Sequence, residues 1–119
     1  MKNNIVLDKS FMFALKIIDL YKKLISNKEF VISNQLLKSA TSIGANINEA
    51  TAAASRKDFV NKMVIASKEA RETKYWLELL NYAKFYETDY FIFLNDVNEL
   101  IKLLTAIIKT SQNGSDYQN

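Results

Sequence analysis

The sequence predicts an all-α fold, an antiparallel up-down bundle of four helices, and two features of the chain carry this prediction. The 119 residues include no proline and only two glycines, Gly44 and Gly114, so the residues that most often mark turns are nearly absent. Apolar residues recur at steps of three and four along four long segments, which is the spacing of one helix face. We therefore predict a bundle domain at residues 9–109, an N-terminal extension at 1–8 and a disordered C-terminal tail at 110–119.

The first predicted helix runs from about residue 9 to residue 27, with Asp8 as its N-cap. It carries two adjacent apolar stripes instead of one. The first stripe consists of Phe11, Ala14, Ile18, Tyr21 and Ile25, and the second of Phe13, Ile17, Leu20 and Leu24. The helix is therefore apolar over more than one face.

The second predicted helix covers residues 33–54 and begins at the N-cap Ser33. Its buried seam consists of Leu36, Ala40, Ile43, Ile47, Ala50 and Ala54. Gly44 lies beside this seam, and a glycine inside a helix costs about 1 kcal/mol relative to alanine. Gly44 therefore predicts a close contact with a neighbouring helix, and a merely tolerated glycine is the alternative.

The third predicted helix begins after a capping box formed by Ser55 and Asp58 and ends near residue 83. It follows the second helix almost directly, which predicts a tight antiparallel hairpin or a sharp bend. Its core stripe consists of Phe59, Met63, Ala66, Ala70, Thr73, Leu77 and Leu80. The fourth helix is predicted from a cap at Thr88 or Asp89 to about residue 109, and like the first it has two apolar stripes.

The double stripes of the first and fourth helices predict self-association. A bundle helix usually buries one apolar band about 100° wide, so a second stripe leaves apolar surface for another copy of the chain. The predicted oligomer interface consists of Phe13, Ile17, Leu20, Leu24, Phe93, Leu100, Leu103 and Ile107. The alternative is that one chain buries both stripes of each helix.

Several kinds of chemistry are excluded by residues that the chain lacks. It has no cysteine and no histidine, so disulfides, thiol catalysis, a serine–histidine pair and a histidine-containing di-iron site are all ruled out. Glu49, Glu69 and Glu72 could form a carboxylate site for a hard cation, or could pair with basic and amide side chains such as Asn46. We predict a protein that is not an enzyme and has no metal or cofactor. Whether these four side chains form a buried network is open at this stage.

The amino terminus lacks the apolar run of a signal peptide, and no apolar segment approaches the ~20 residues that span a bilayer. These features predict a cytoplasmic protein without a membrane partner.

Charge suggests the class of partner. Sixteen basic and 13 acidic residues leave a formal net charge of +3, which favours anionic partners. The basic side chains predicted to contact nucleic-acid phosphates are Lys38, Arg56, Lys57, Lys68, Arg71 and Lys74. The alternative is an ordinary solvated helix face with surface ion pairs.

Four blocks of sequence carry a family resemblance. They are QLLKSATSIGANINEA at residues 35–50, SRKDF at 55–59, IASKEA at 65–70 and ETKYWLELL at 72–80. In combination they closely resemble the bacterial four-helix-bundle proteins encoded by intervening sequences in 23S rRNA genes. The resemblance extends from about Phe11 to Leu104. Lys38 stands where many relatives have arginine, which keeps the charge but loses the guanidinium fork.

The resemblance implies an up-down bundle that assembles as a homopentameric ring. It also implies a relation to the accessory variability determinant of diversity-generating retroelements, a more strongly basic pentamer that associates with a reverse transcriptase and nucleic acid. It transfers no catalytic residue. Two functions follow, namely a homo-oligomeric module that binds RNA or DNA through basic helix faces, and a scaffold that binds a partner protein near Tyr75, Tyr82 and Tyr86.

Overall fold

The protein consists of four α-helices joined by short connections. The computed structural model describes residues 4–117, and the side chains of residues 4–113. Helix α1 spans Ile5–Ser26, α2 spans Val31–Ala50, α3 spans Arg56–Ala83 and α4 spans Tyr90–Tyr117. All the regular structure between residues 4 and 117 is helical, which confirms the predicted all-α class and the number of helices.

Each helix packs against its neighbours in sequence, and α1 also packs against α4. The resulting body is elongated, 54 × 23 × 21 Å. One apolar core runs along its axis, and its largest fully buried side chains are Phe13, Ile17, Leu20, Leu24, Leu36, Ile43, Ile47, Met63, Leu77, Leu80, Leu100 and Leu104. A single continuous core of this kind is what holds amphipathic helices together as one domain.

Helix α1 begins four residues earlier than the sequence indicated. The side chain of Asn4 accepts a hydrogen bond from the Leu7 amide at 3.1 Å, so Asn4 is the N-cap and the assignment of Asp8 was wrong. Asp8 lies in the first turn, where its negative charge suits the positive end of the helix dipole. Val6 is buried in the core, so the predicted extension at 1–8 is part of the bundle from residue 5.

The connection between α1 and α2 is built by two consecutive residues. Lys28 adopts a left-handed conformation, with φ of 66°, and its amide bonds to the Ile25 carbonyl. The amide of Glu29 bonds to the Leu24 carbonyl, which completes a Schellman motif. Because the buried Glu29 carboxylate then accepts bonds from the first amides of α2, that helix starts at Val31, and Ser33 is not its N-cap.

Helix α2 ends at Ala50, so Ala54 lies in the connection and is exposed. The connection ends at Ser55, which takes an extended conformation, with φ of −148° and ψ of 166°. Its hydroxyl accepts a bond from the Asp58 amide at 3.0 Å, which confirms Ser55 as the N-cap of α3. The predicted core stripe of α3 is buried apart from Phe59, which is half-buried.

Helix α4 begins after Asp89, whose carboxylate accepts a bond from the Phe91 amide at 3.1 Å, and it continues to Tyr117. The predicted disordered tail was therefore wrong for residues 110–117, and residues 118–119 lie outside the described part of the chain. Apolar periodicity stops near residue 109, but the helix does not. The start of α3 reaches this level of α4, and the guanidinium of Arg56 donates to the Ser111 carbonyl at 3.2 Å.

The predicted oligomer interface is wrong for five buried residues and stays a prediction for the other three. Five of its residues lie in the core of the single chain, namely Phe13, Ile17, Leu20, Leu24 and Leu100. The other three, Phe93, Leu103 and Ile107, are half-buried against that core. A side chain without exposed surface cannot contact a second copy. The pattern along the sequence showed two stripes per helix but not which stripe faced inward.

Gly44 lies where α1 and α2 approach each other. A Cβ atom at this position would be 3.1 Å from the Ser10 hydroxyl oxygen. Ser10 is fully buried, and its hydroxyl donates to the Leu7 carbonyl at 2.7 Å. The predicted close helix contact at Gly44 is thus confirmed.

None of the helices in the described part of the chain has an apolar stretch that could cross a membrane.

Candidate nucleic-acid interface

The outward face of α3 carries exposed basic side chains in a row. Lys57, Lys68 and Arg71 are separated by 11 and three residues, so they project from one side of the helix. All three are exposed, and they span about 21 Å along the helix axis at 1.5 Å per residue. This length is enough to meet several successive phosphates of a nucleic-acid strand.

The other predicted phosphate contacts are placed differently. Lys38 is exposed on α2, and Lys74 is half-buried on α3. Arg56 is exposed, but its guanidinium is engaged with the Ser111 carbonyl of α4. The structure therefore brings Lys57, Lys68 and Arg71 together on one face of α3, while Lys38 lies on the neighbouring helix, Lys74 is half-buried and Arg56 is engaged with α4.

Aromatic side chains share this face. Tyr75 and Tyr82 follow Arg71 at steps of four and seven residues, and their exposed fractions are 56% and 82%. Beside Tyr75 lies Trp76, half-buried, with the two ring centroids 5.0 Å apart and the planes at 69°. The indole N–H of Trp76 donates to Glu72 at 3.1 Å, which orients this ring.

Two carboxylates border the basic face. Partial burial raises the pKa of Glu69, and the nearby negative charge of Glu72 raises it further. The positive charges of Lys38 and Lys68 act on the same carboxyl in the opposite direction. Lys68 thus has an acidic neighbour, and a further exposed carboxylate, Glu78, follows Arg71 by seven residues on the same side of the helix.

Asn46, Glu49, Glu69 and Glu72 do not form a buried polar network, because none of the four side chains is buried. Glu49 and Glu72 are exposed, and Asn46 and Glu69 are half-buried. Glu49 pairs with Lys62 at 2.6 Å, and the Asn46 amide donates to the Ser42 carbonyl of its own helix at 2.8 Å. These side chains form surface contacts along α2 and α3. Among the described residues, no three carboxylates come close enough to hold a metal ion.

Sequence reasoning missed an apolar surface between α1 and α4. Met12 and Leu15 of α1 and Ile92 of α4 are about half exposed and line one open depression of about 410 Å³. In the sequence, the signal for this surface was the spacing of three residues between Met12 and Leu15 on α1. It was hidden beside the two stronger apolar stripes of that helix. This surface is a better candidate for contact between copies than the stripes that proved to be core.

Comparison with known proteins agrees with this architecture. A solved structure of a protein of unknown function from the S23 ribosomal protein family, from Bacteroides thetaiotaomicron, is similar to this chain with a TM-score of 0.87 and 55% identity. The match covers 92% of this chain and 100% of that one. No curated protein matches the chain. Residues 2–106 match the family model for the 23S rRNA-intervening sequence protein. The chain therefore belongs to the 23S rRNA-intervening sequence protein family.

Proposed function

We propose that this protein is a non-enzymatic, homo-oligomeric four-helix bundle that binds RNA or other nucleic acid through the outward face of α3. The observation that carries the proposal is the row of exposed cations formed by Lys57, Lys68 and Arg71. Cations held on a rigid helix contact phosphates without choosing a base sequence, so the expected binding is salt-dependent and nonspecific.

The names of the family and of the similar Bacteroides protein are in keeping with the proposed binding of RNA. The family is named for sequences that interrupt 23S rRNA genes, and the similar Bacteroides protein is assigned to a ribosomal protein family. Neither name states an activity. The support from the chain itself is the placement of its cations.

The test is a binding titration with RNA at several salt concentrations. We expect log affinity to fall linearly with log salt, with a slope of roughly −0.7 for each phosphate contacted on a single strand. The variant Lys57→Ala/Lys68→Ala/Arg71→Ala should weaken binding and flatten this slope. Arg56 is left intact because it also anchors α4.

The matched control is Lys22→Ala/Lys102→Ala/Lys109→Ala, which removes the same formal charge from exposed positions on α1 and α4. If both triple variants weaken binding equally, only net charge matters and the face of α3 is not the site. If the α3 variant binds RNA as the unaltered protein does, the proposal fails.

Assembly is part of the proposal. We propose an up-down bundle, since the connections at 27–30, 51–55 and 84–89 are short and sequence neighbours pack together. We propose further that five copies form a ring, in keeping with the resemblance, and that Met12, Leu15 and Ile92 contribute to the contacts between copies. Covering this apolar surface would remove it from water.

Light scattering tests the assembly. The purified protein should have a mass near five chains, and Leu15→Glu should lower that mass because it places a charge in the contact. Val64→Glu on α3, where an apolar side chain is also exposed, is the control and should leave the mass unchanged. A monomeric unaltered protein would contradict the proposal.

A protein-interaction scaffold is the second candidate, and the exposure of Tyr82 favours it. It predicts that a discrete protein co-purifies and that RNA is not retained. The relation to the accessory determinant of retroelements and the cytoplasmic location also remain predictions.

A further inference from the structure

We infer that the face of α3 selects single-stranded over double-stranded nucleic acid, because Tyr75 and Tyr82 provide stacking surfaces for unpaired bases. This inference rests on the proposed nucleic-acid binding by the same face and names the class of its ligand. The stripe concerned, called the α3 stripe below, consists of Lys57, Val64, Lys68, Arg71, Tyr75 and Tyr82.

The α3 stripe places three cations and then two aromatic rings along one side of the helix. Successive members are three, four or seven residues apart, so they follow one line along the outside of the helix. Arg71 and Tyr75 are separated by about 6 Å of helix rise, and Tyr75 and Tyr82 by about 10 Å. A strand lying along this line meets the three cations first and then the two rings, with the exposed Glu78 carboxylate between the rings.

The exposure of the two tyrosines is the central observation. A tyrosine usually packs its ring against apolar neighbours and keeps only its hydroxyl in water. Tyr82 is instead 82% exposed and Tyr75 is 56% exposed, so ring surface is available to a ligand. Aromatic side chains beside cations are the combination by which proteins bind single strands without reading their sequence.

The paired bases of a double-stranded nucleic acid cannot stack on the rings of Tyr75 and Tyr82. These bases are already stacked on one another, so only the base edges and the backbone are accessible. A duplex therefore offers the α3 stripe its phosphates and base edges but no base face for stacking, whereas a single strand offers both phosphates and base faces.

The fluorescence emission of Trp76 can report the stacking of a base on Tyr75. It is the single tryptophan of the chain, and its ring packs edge-on against Tyr75. A base stacked on Tyr75 lies beside the indole and should change its emission. Contacts to phosphates at Lys57 or Arg71 alone should leave that emission nearly unchanged.

The experiment compares three probes at one low salt concentration. They are an oligothymidylate of about 20 nucleotides, an abasic strand with the same number of phosphates, and a blunt DNA duplex of matched length. The abasic strand keeps the charge and removes every base. We expect the oligothymidylate to bind about tenfold or more tightly than the abasic strand, and to change Trp76 emission where the abasic strand does not.

The variant Tyr75→Ala/Tyr82→Ala should lower the affinity for oligothymidylate to that of the abasic strand and leave the affinity for the abasic strand unchanged. Both side chains are exposed, so the fold should be retained, and the melting temperature checks this. Phe11→Ala is the matched control, because it removes an exposed aromatic ring from α1, a helix that does not pack against α3 within the described residues.

The outcomes separate this inference from the proposed function. Equal binding of all three probes, without an effect of the tyrosine variant, overturns stacking and leaves nucleic-acid binding by α3 intact. If no probe binds although the RNA titration shows binding, this inference fails and the proposed function stands; if RNA does not bind either, both fail. A variant that loses a co-purifying protein instead of oligothymidylate binding would assign the two tyrosines to a protein contact.

Discussion

The side-chain oxygen of Ser10 lies 3.1 Å from the position that a Cβ atom would occupy at Gly44. Contacts this short are tighter than nearly all those that real Cβ atoms make. The Ser10 hydroxyl is also held, because it donates to the Leu7 carbonyl of its own helix. Helices α1 and α2 are therefore in contact across a residue without a side chain.

Gly44→Leu should destabilise the protein by about 1–3 kcal/mol, since a larger side chain must displace Ser10 or separate the two helices. Urea unfolding measures the change. Ala45→Leu is the control, because Ala45 is exposed on the next position of the same helix and should tolerate leucine. Equal stability of the Gly44→Leu variant and the unaltered protein would show that the contact can open without cost.

Glu29→Ala should lower the free energy of unfolding by about 0.5–2 kcal/mol, the usual value of a helix cap. The Glu29 carboxylate accepts bonds from the amides of Val31, Ile32 and Ser33 at 3.1, 3.0 and 2.6 Å. Glu29→Gln keeps one acceptor oxygen and should fall between the two proteins in stability. If alanine and glutamine cost the same, the charge of the carboxylate and not the number of acceptors dominates.

Lys28→Gly should stabilise the protein by roughly 1 kcal/mol in urea unfolding. Lys28 has a φ of 66°, a conformation that is unfavourable for residues with a Cβ atom and free of that penalty for glycine. Asn27→Gly is the neighbouring control, because Asn27 has a φ of −95°, so glycine there increases the freedom of the unfolded chain and removes the bond from the Asn27 side chain to the Lys23 carbonyl. The two substitutions should thus change the free energy of unfolding in opposite directions.

Stability should fall as the pH rises through the alkaline range because of Tyr90. Burial raises the pKa of Tyr90 to about 12, and the negative charges of Tyr86, Glu87 and Glu29 act in the same direction. The unfolded chain releases this proton near pH 10. Between about pH 10 and about 12 the folded state binds more protons than the unfolded state, so the free energy of unfolding decreases with rising pH.

Tyr90→Phe should remove this contribution to the pH dependence, and it should also remove the last step in the ultraviolet titration of tyrosine. Its stability below pH 10 should fall slightly, because the hydroxyl no longer donates to the Tyr86 carbonyl. Tyr82→Phe leaves Tyr90 intact and should retain the late step. Loss of the late step in both variants would assign it to another residue.

The sequence predicted the start of a helix correctly where a contact within a few residues decides it. Ser55 begins α3 because its own hydroxyl reaches the amide of Asp58, three residues away. Ser33 failed as a cap for a reason outside its own segment. The chain folds back at Lys28, and this brings the Glu29 carboxylate to the amides of residues 31–33. The helix therefore begins two residues before Ser33.

Of the candidate site, the residue types and the row on α3 were predictable, but the engagement of Arg56 with α4 was not. The sequence indicated six cations, and the structure aligns Lys57, Lys68 and Arg71 while engaging Arg56 with α4. Helical spacing was sufficient to align the three. The position of Ser111, 55 residues away, was needed to account for Arg56.

The sequence by itself determined the all-α class, the four helices and the seams of α2 and α3, because each depends on apolar spacing within a single segment. The tertiary structure decided which stripe of α1 faces the core, and it buries residues of both stripes of α4. Phe13 is 2% exposed and Phe11 is 63% exposed, although both are aromatic and lie two residues apart. Both stripes are apolar enough to be buried, so the choice depends on where α2 and α4 pack against α1.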